Sequence, residues 1–161
     1  LWGELRELGF ATPNVGLLTD IICCPGGDFC SLANAKSIPI AEAIQRRFDD
    51  LDYLFDIGNI DLNISGCMNA CGHHHVGHIG ILGVDKKGQE FYQVSLGGSA
   101  GRDASLAQIL GPSFAEADMA DVIDKIIKGY VEKRTDEESF VDTFRRVGVD
   151  PFKERVYAAN H

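Results

Sequence analysis

Residues 59–71 read NIDLNISGCMNAC and join a short strand to a pair of cysteines. In the first half of the stretch, isoleucine and leucine alternate with polar residues, which is the period of a strand that buries one face. The strand delivers the chain to Cys67 and Cys71, which have C-x₃-C spacing. The stretch therefore predicts a sheet with a cysteine-bearing loop at the end of one strand.

A second cysteine pair lies upstream in residues 24–30, CPGGDFC, with C-x₅-C spacing. The preceding residues 20–23, DIIC, predict a short buried strand. Both pairs thus follow predicted strands, and we expect both loops to emerge at one edge of the sheet. Cys23 lies outside the C-x₅-C spacing. Because adjacent strand residues point to opposite faces, we expect Cys23 to pack as a small buried hydrophobe.

The rest of the pattern predicts an α+β domain, with a mixed sheet packed against helices. Residues 78–84 and 90–96 flank DKKG at 85–88 and predict an antiparallel hairpin. We expect residues 1–161 to form one domain. Four helices are predicted: an opening segment ended by Gly9, Pro39 to Phe55, Met119 to Tyr130, and about Glu137 to Val147.

Composition limits the class of protein. A chain of 161 residues with 45% hydrophobic and 24% charged residues is typical of one soluble globular domain. The net charge of −9 argues against a nucleic-acid or anionic-membrane partner. No stretch reaches the roughly 18 consecutive apolar residues of a membrane helix. The start, LWGELRELGF, has no Met and no basic signal region, so we expect the true beginning to lie upstream.

Three kinds of crosslink use cysteine pairs. A disulfide framework is typical of small, cysteine-rich secreted chains, whereas this chain has 5 cysteines and no recognisable secretory signal. Structural zinc favours C-x₂₋₄-C spacing, which residues 67–71 fit and residues 24–30 exceed. A cubane iron–sulfur cluster presents its irons at separated corners and takes thiolates from two loops. Spacing alone favours iron–sulfur and leaves zinc open.

The residues around both pairs resemble the sirohaem-containing sulfite and nitrite reductase family. The similarity runs through CPGGDFCSLA at 24–33, SGCMNACGHHHVGHIGILGVDKKGQEFYQVSLGG at 65–98 and SFVDTFRRVGVDPF at 139–152. The two cysteine motifs together are specific, whereas either one alone is weak. The resemblance implies the C-terminal, cluster-carrying half of a longer assimilatory reductase.

The resemblance also implies a set of site residues. Cys71 would ligate both the cluster and the sirohaem iron, so that electrons pass through a shared thiolate. Sulfite or nitrite would be reduced there by six electrons to sulfide or ammonia. Asn69, Gly97 and Gly98 match family positions beside the macrocycle. Four cysteines would ligate the 4Fe–4S cluster: Cys24, Cys30, Cys67 and Cys71.

The family implies partners outside this chain. The electron donor would be ferredoxin or a flavoprotein, and the location would be cytoplasmic. The basic residues that bind the anion would come mainly from the N-terminal half, which this chain lacks, so no catalytic residue is assigned. We expect the fragment to be inactive alone and to hold both cofactors poorly.

Several alternatives stay open on the sequence. The chain could be a stand-alone iron–sulfur electron carrier or redox sensor without haem, or a zinc-stabilised binding module. Asn69 could merely cap its turn, and the glycines at 97–98 could form a plain turn. Four histidines are expected to form structure around the cluster, with proton delivery by one imidazole as the alternative: His73, His74, His75 and His78.

Overall fold

A five-stranded mixed sheet forms the centre of the protein, with strand order β1-β2-β3-β4-β5. The computed structural model describes residues 1–158, so Ala159 to His161, the end of the expected domain, lie outside the described residues. Strands β1, β2 and β3 are parallel, and β4 and β5 are antiparallel to their neighbours. The predicted α+β class is confirmed. The strands are β1 Ile22–Cys23, β2 Leu62–Ser65, β3 Ile79–Lys86, β4 Gln89–Leu96 and β5 Gln108–Ile109.

Helices pack against the sheet and against one another. The longest is α4, which buries an apolar face that includes Ile123, Ile126 and Ile127 and packs on α2 and α6. None of the helices among residues 1–158 combines the length and the apolar character needed to cross a membrane. The α-helices are α1 Trp2–Glu7, α2 Ile38–Arg47, α3 Leu51–Ile57, α4 Met119–Lys133, α5 Phe140–Val147 and α6 Asp150–Tyr157.

The predicted hairpin is confirmed, with a tighter turn than expected. Strands β3 and β4 stay paired as far as Lys86 and Gln89, so the turn consists of Lys87 and Gly88 alone. Both turn residues have positive φ, of 58° and 79°, as a two-residue turn that follows the twist of the strands requires. The Gly88 N–H donates to the Asp85 carboxylate at 3.2 Å.

The single helix predicted over residues 39–55 is wrong, because α2 and α3 are separate helices. Phe48 lies in the break and is buried, so the helical spacing of apolar residues runs on across it. Asp50 is the N-cap of α3. Its carboxylate accepts the backbone N–H groups of Asp52 at 3.0 Å and Tyr53 at 3.3 Å. The sequence signal for the start of the second helix is therefore the capping residue Asp50, and the spacing of apolar residues does not show it.

Other differences lie at the sheet edges and at the chain end. Strand β1 is shorter than expected, and Ile22 is 55% exposed because β1 is an edge strand with one neighbour. Strand β5, with two residues, and helix α6, which follows Gly148 closely, were not predicted. Helix α5 starts at Phe140, later than expected, because Ser139 caps it by accepting the Asp142 N–H at 3.2 Å.

We expect Asp50→Ala to lower the free energy of unfolding by about 1 kcal/mol, because two N–H groups of α3 lose their acceptor. The control is Asp49→Ala, which removes a neighbouring exposed carboxylate that has no side-chain hydrogen bond within residues 1–158. Urea unfolding of both variants measures the difference. Equal losses in the two variants would contradict the capping role.

Candidate metal centre

The two cysteine loops leave the sheet at the same end. Strand β1 pairs in parallel with β2, with Cys23 opposite Ile64, so the carboxyl ends of the two strands are adjacent. Cys24 follows β1 directly, and its backbone N–H donates to the Ile64 carbonyl at 3.1 Å. Cys67 comes two residues after β2. The prediction that both loops emerge at one edge is confirmed.

Gly66 joins the first cysteine loop to the second. Its N–H donates to the Cys24 Sγ at 3.0 Å, and its carbonyl accepts the N–H groups of Asn34 at 2.8 Å and Ala35 at 3.1 Å. A Cβ at this position would lie 2.8 Å from both the Ala35 carbonyl oxygen and the Gly26 Cα. Only glycine permits this approach, because the atoms in the way belong to the backbone.

The first loop folds back on itself between its two cysteines. The Gly26 carbonyl accepts the N–H groups of Cys30 at 2.9 Å and Phe29 at 3.2 Å, and the Cys30 carbonyl accepts the Ala33 N–H at 3.2 Å. Cys30 is half-buried, whereas Phe29 is 79% exposed. The C-x₅-C spacing thus forms a compact turn beside Gly66.

The second pair spans the border between core and surface. Cys67 is buried, whereas Met68, Asn69 and Cys71 are exposed. The Cys67 carbonyl accepts the Ala70 N–H at 3.1 Å, and Ala70 has a positive φ of 57°, so the pair sits on a tight turn. The structure therefore places the predicted cofactor residue Asn69 next to Cys71 on the outer side of this loop.

The donor set fits a 4Fe–4S cluster. All five cysteines are free, and within residues 1–158 no three His, Cys, Asp or Glu side chains converge closely enough to hold one metal ion. A cubane does not require that convergence, because each thiolate binds a different iron. The Cys24 sulfur already accepts a backbone N–H, which is the contact that stabilises a ligating thiolate.

Cys23 behaves as a packing residue. It is half-buried against the hydrophobic core, as predicted, and its Sγ donates to the Cys24 carbonyl at 3.2 Å. Burial, with a smaller contribution from the neighbouring Cys24, raises the pKa of the Cys23 thiol to about 11. The Cys23 side chain thus packs against the core and bonds to its own loop, as the sequence predicts for a residue outside the C-x₅-C spacing.

Gly97 and Gly98 follow β4 and are both buried. Gly97 has a φ of 82°, and a Cβ there would lie 2.2 Å from the Phe144 ring. A Cβ at Gly98 would lie 2.5 Å from the Gly77 carbonyl oxygen. Close packing therefore accounts for both glycines within the chain, and their contact with a macrocycle stays a prediction.

The histidine segment, residues 72–78, connects the second cysteine pair to β3. Hydrogen bonds from neighbouring elements hold its backbone in place. The His73 carbonyl accepts the Asn63 side-chain N–H at 3.1 Å, and the His75 carbonyl accepts the Ala107 N–H at 2.8 Å. These contacts hold the segment against β2 and the loop before β5. They support the expectation that the histidines form structure beside the cysteine loops.

Burial favours the neutral imidazole at two positions of this segment, His74 and His78. His78 Nδ1 accepts the Asp61 backbone N–H at 3.1 Å, and Nε2 lies 3.5 Å from the Asp61 carboxylate. Burial lowers the pKa of His78, against the opposing effect of Asp61. Burial, and then the neighbouring His75, lower the pKa of His74 to about 4. Proton delivery by one imidazole stays an alternative prediction.

Comparison with known families identifies this arrangement. The profile of the family described as the nitrite and sulphite reductase 4Fe-4S domain matches residues 16–160. The chain belongs to this family. The resemblance seen in the two cysteine motifs is thereby confirmed, and the 4Fe-4S domain of the family is the context of the four cysteines.

Relatives and solved structures agree with the family. Sulfite reductase (ferredoxin) of Mycobacterium tuberculosis is 30% identical in an alignment 144 residues long, which covers 83% of this chain and 26% of that protein. The structure of the Mycobacterium tuberculosis NirA protein superposes with a TM-score of 0.78 at 27% identity, covering 94% of this chain and 29% of that one. The chain thus spans about a quarter of the curated relatives' length.

Another relative, which is not named a reductase, has a similar sequence identity to this chain. Cobalt-factor III methyltransferase of Priestia megaterium is 32% identical over 145 residues, which are 89% of this chain and 25% of that protein. The nitrite and sulphite reductase 4Fe-4S domain therefore has relatives among proteins that are not named reductases.

We expect Gly66→Ala to lower the free energy of unfolding by about 2 kcal/mol, because its Cβ forces the two cysteine loops apart. The control is Gly27→Ala in the same region, where a Cβ would come no closer than 3.4 Å to its neighbours. We expect that control to stay within about 0.5 kcal/mol of the unsubstituted chain in urea unfolding. A Gly66→Ala chain as stable as the control would show that the loops do not depend on this contact.

Proposed function

We propose that the chain is the cofactor-binding part of an enzyme that reduces sulfite to sulfide or nitrite to ammonia. The observation that carries the proposal is the junction at Gly66, which joins two loops with four free thiols inside a 4Fe-4S domain family. The reductase activity is taken from the named relatives, of which this chain matches about a quarter. Cys24, Cys30, Cys67 and Cys71 are the proposed cluster ligands.

When bound, the 4Fe–4S cluster would supply electrons one at a time, and sirohaem would supply the iron that binds sulfite or nitrite. The chain itself would hold the irons through thiolates from two loops of different burial. Cys67 is buried at the sheet end, whereas Cys71 and Asn69 are exposed and open to a second group. This difference supports Cys71 as the thiolate shared with sirohaem, with Asn69 beside the macrocycle.

The remaining partners belong to the whole protein. We propose ferredoxin as the electron donor, because the Mycobacterium tuberculosis relative is named sulfite reductase (ferredoxin); a flavoprotein is the alternative. The net charge of −9 supports a basic anion site in another part of a longer protein. We accordingly propose that this chain is inactive alone, and that the whole protein acts in the cytoplasm.

A second candidate function has a specific observation behind it. The Priestia megaterium relative is named a methyltransferase, and its identity to this chain is 32%, against 30% for the Mycobacterium tuberculosis reductase. The cysteine loops would then serve a protein whose named reaction is methyl transfer. The assay on the full-length protein separates this candidate from the reductase.

We expect each of Cys24→Ala, Cys30→Ala, Cys67→Ala and Cys71→Ala to lose the four-iron stoichiometry, because each removes one ligand of the cubane. The matched control is Cys23→Ala, which removes a half-buried thiol next to the site and should keep iron and acid-labile sulfide. Both contents are measured on anaerobically purified full-length protein. Retention of the full iron content in all four variants would refute the ligand set.

The enzyme proposal is tested with the full-length protein and reduced methyl viologen as electron donor. Turnover of sulfite to sulfide or of nitrite to ammonia, with a haem-like absorption spectrum, is the expected result. A haem-free protein with an intact cluster and no turnover would support an electron carrier or redox sensor. Methyl transfer without reduction of either anion would support the second candidate.

A further inference from the structure

Ser37 stands at the N-cap of α2 and does not cap the helix. A serine at this position ordinarily accepts a backbone N–H from the first turn, yet Ser37 makes no side-chain hydrogen bond of that kind. The residue is fully buried, at 0% exposure. Burying a hydroxyl without a hydrogen-bond partner costs free energy. Because Ser37 does not bond to the helix, its hydroxyl needs a different partner.

That contact is the sulfur of a proposed cluster ligand. The Ser37 Oγ lies 3.6 Å from the Cys24 Sγ, the same sulfur that accepts the Gly66 N–H at 3.0 Å. Between a thiol and a hydroxyl, either group can donate. A ligating thiolate has no proton, so with metal bound only the hydroxyl can donate.

Backbone atoms confine the hydroxyl on two sides. A Cβ at Gly26 would lie 2.5 Å from the Ser37 Oγ, and a Cβ at Gly66 would lie 3.0 Å from it. Both cysteine loops therefore pack directly against this oxygen, and it has little freedom to turn away from Cys24. The first turn of α2 follows Ser37, and its positive end favours negative charge in the same place.

We propose that Ser37 is a positioning residue that donates its hydroxyl to the Cys24 thiolate and raises the reduction potential of the 4Fe–4S cluster. The inference rests on the cluster site of the proposed function. Reduction adds one electron to the cluster and makes its thiolate sulfurs more negative, so a donor to sulfur stabilises the reduced form more than the oxidised form.

The test is a redox titration of the full-length protein with dithionite as reductant, followed by EPR of the reduced cluster. We expect Ser37→Ala to lower the equilibrium constant for reduction about tenfold, which is about 59 mV for a one-electron couple. The matched control is Ser95→Ala, which removes another buried hydroxyl, one that donates to the Gly80 carbonyl at 3.4 Å. The control should keep the potential of the unsubstituted protein.

Ser37→Thr keeps the hydroxyl, and we expect it to keep the potential. An unchanged potential in Ser37→Ala at full iron content overturns the proposal, as does an equal fall in Ser37→Thr. If Ser37→Ala takes up no cluster, the cluster content of Ser37→Thr decides, because retention there supports the hydroxyl and loss in both overturns it. Absence of a cluster from the unsubstituted protein would instead contradict the proposed function.

Discussion

The hydrogen bonds that Gly66 makes to the first cysteine loop are the constraint on which the metal centre depends. Its carbonyl accepts two N–H groups of that loop, and its own N–H reaches the Cys24 sulfur. The parallel pairing of β1 and β2 brings the loops to the same place, and the lack of a side chain at Gly66 lets them touch. The parallel half of the sheet therefore positions the proposed ligands, while the antiparallel hairpin extends the core beside them.

The Cys24 sulfur is contacted by neutral hydrogen-bonding groups. The chain carries a net charge of −9, and the groups that contact the Cys24 sulfur are a backbone N–H and a serine hydroxyl. Such donors are neutral, so they stabilise a thiolate without a salt bridge and without attracting a free anion to the core. An acidic domain can in this way contact a sulfur through neutral donors.

The parts of the site that follow local rules could be predicted from the sequence, and those that depend on distant contacts could not. The cysteine pairs, the strand before Cys67 and the hairpin each rest on a period or a turn within a few residues. That strand is nevertheless shorter than the predicted residues 59–65, and it is buried on both faces and not on one. The break between α2 and α3 was missed because Phe48 continues the apolar spacing across it. The roles of Gly66 and Ser37 arise only when loops far apart in sequence meet, and the packing of Gly97 under Phe144 is of the same kind.

Anomalous diffraction at the iron absorption edge, from crystals of the anaerobically purified full-length protein, tests the ligand set most directly. We expect a single four-iron peak bonded by Cys24, Cys30, Cys67 and Cys71, with Cys23 outside the coordination sphere and Cys71 also bonded to a haem iron. A peak bonded by Cys23, or a lone zinc ion at residues 67–71, would contradict the proposed centre.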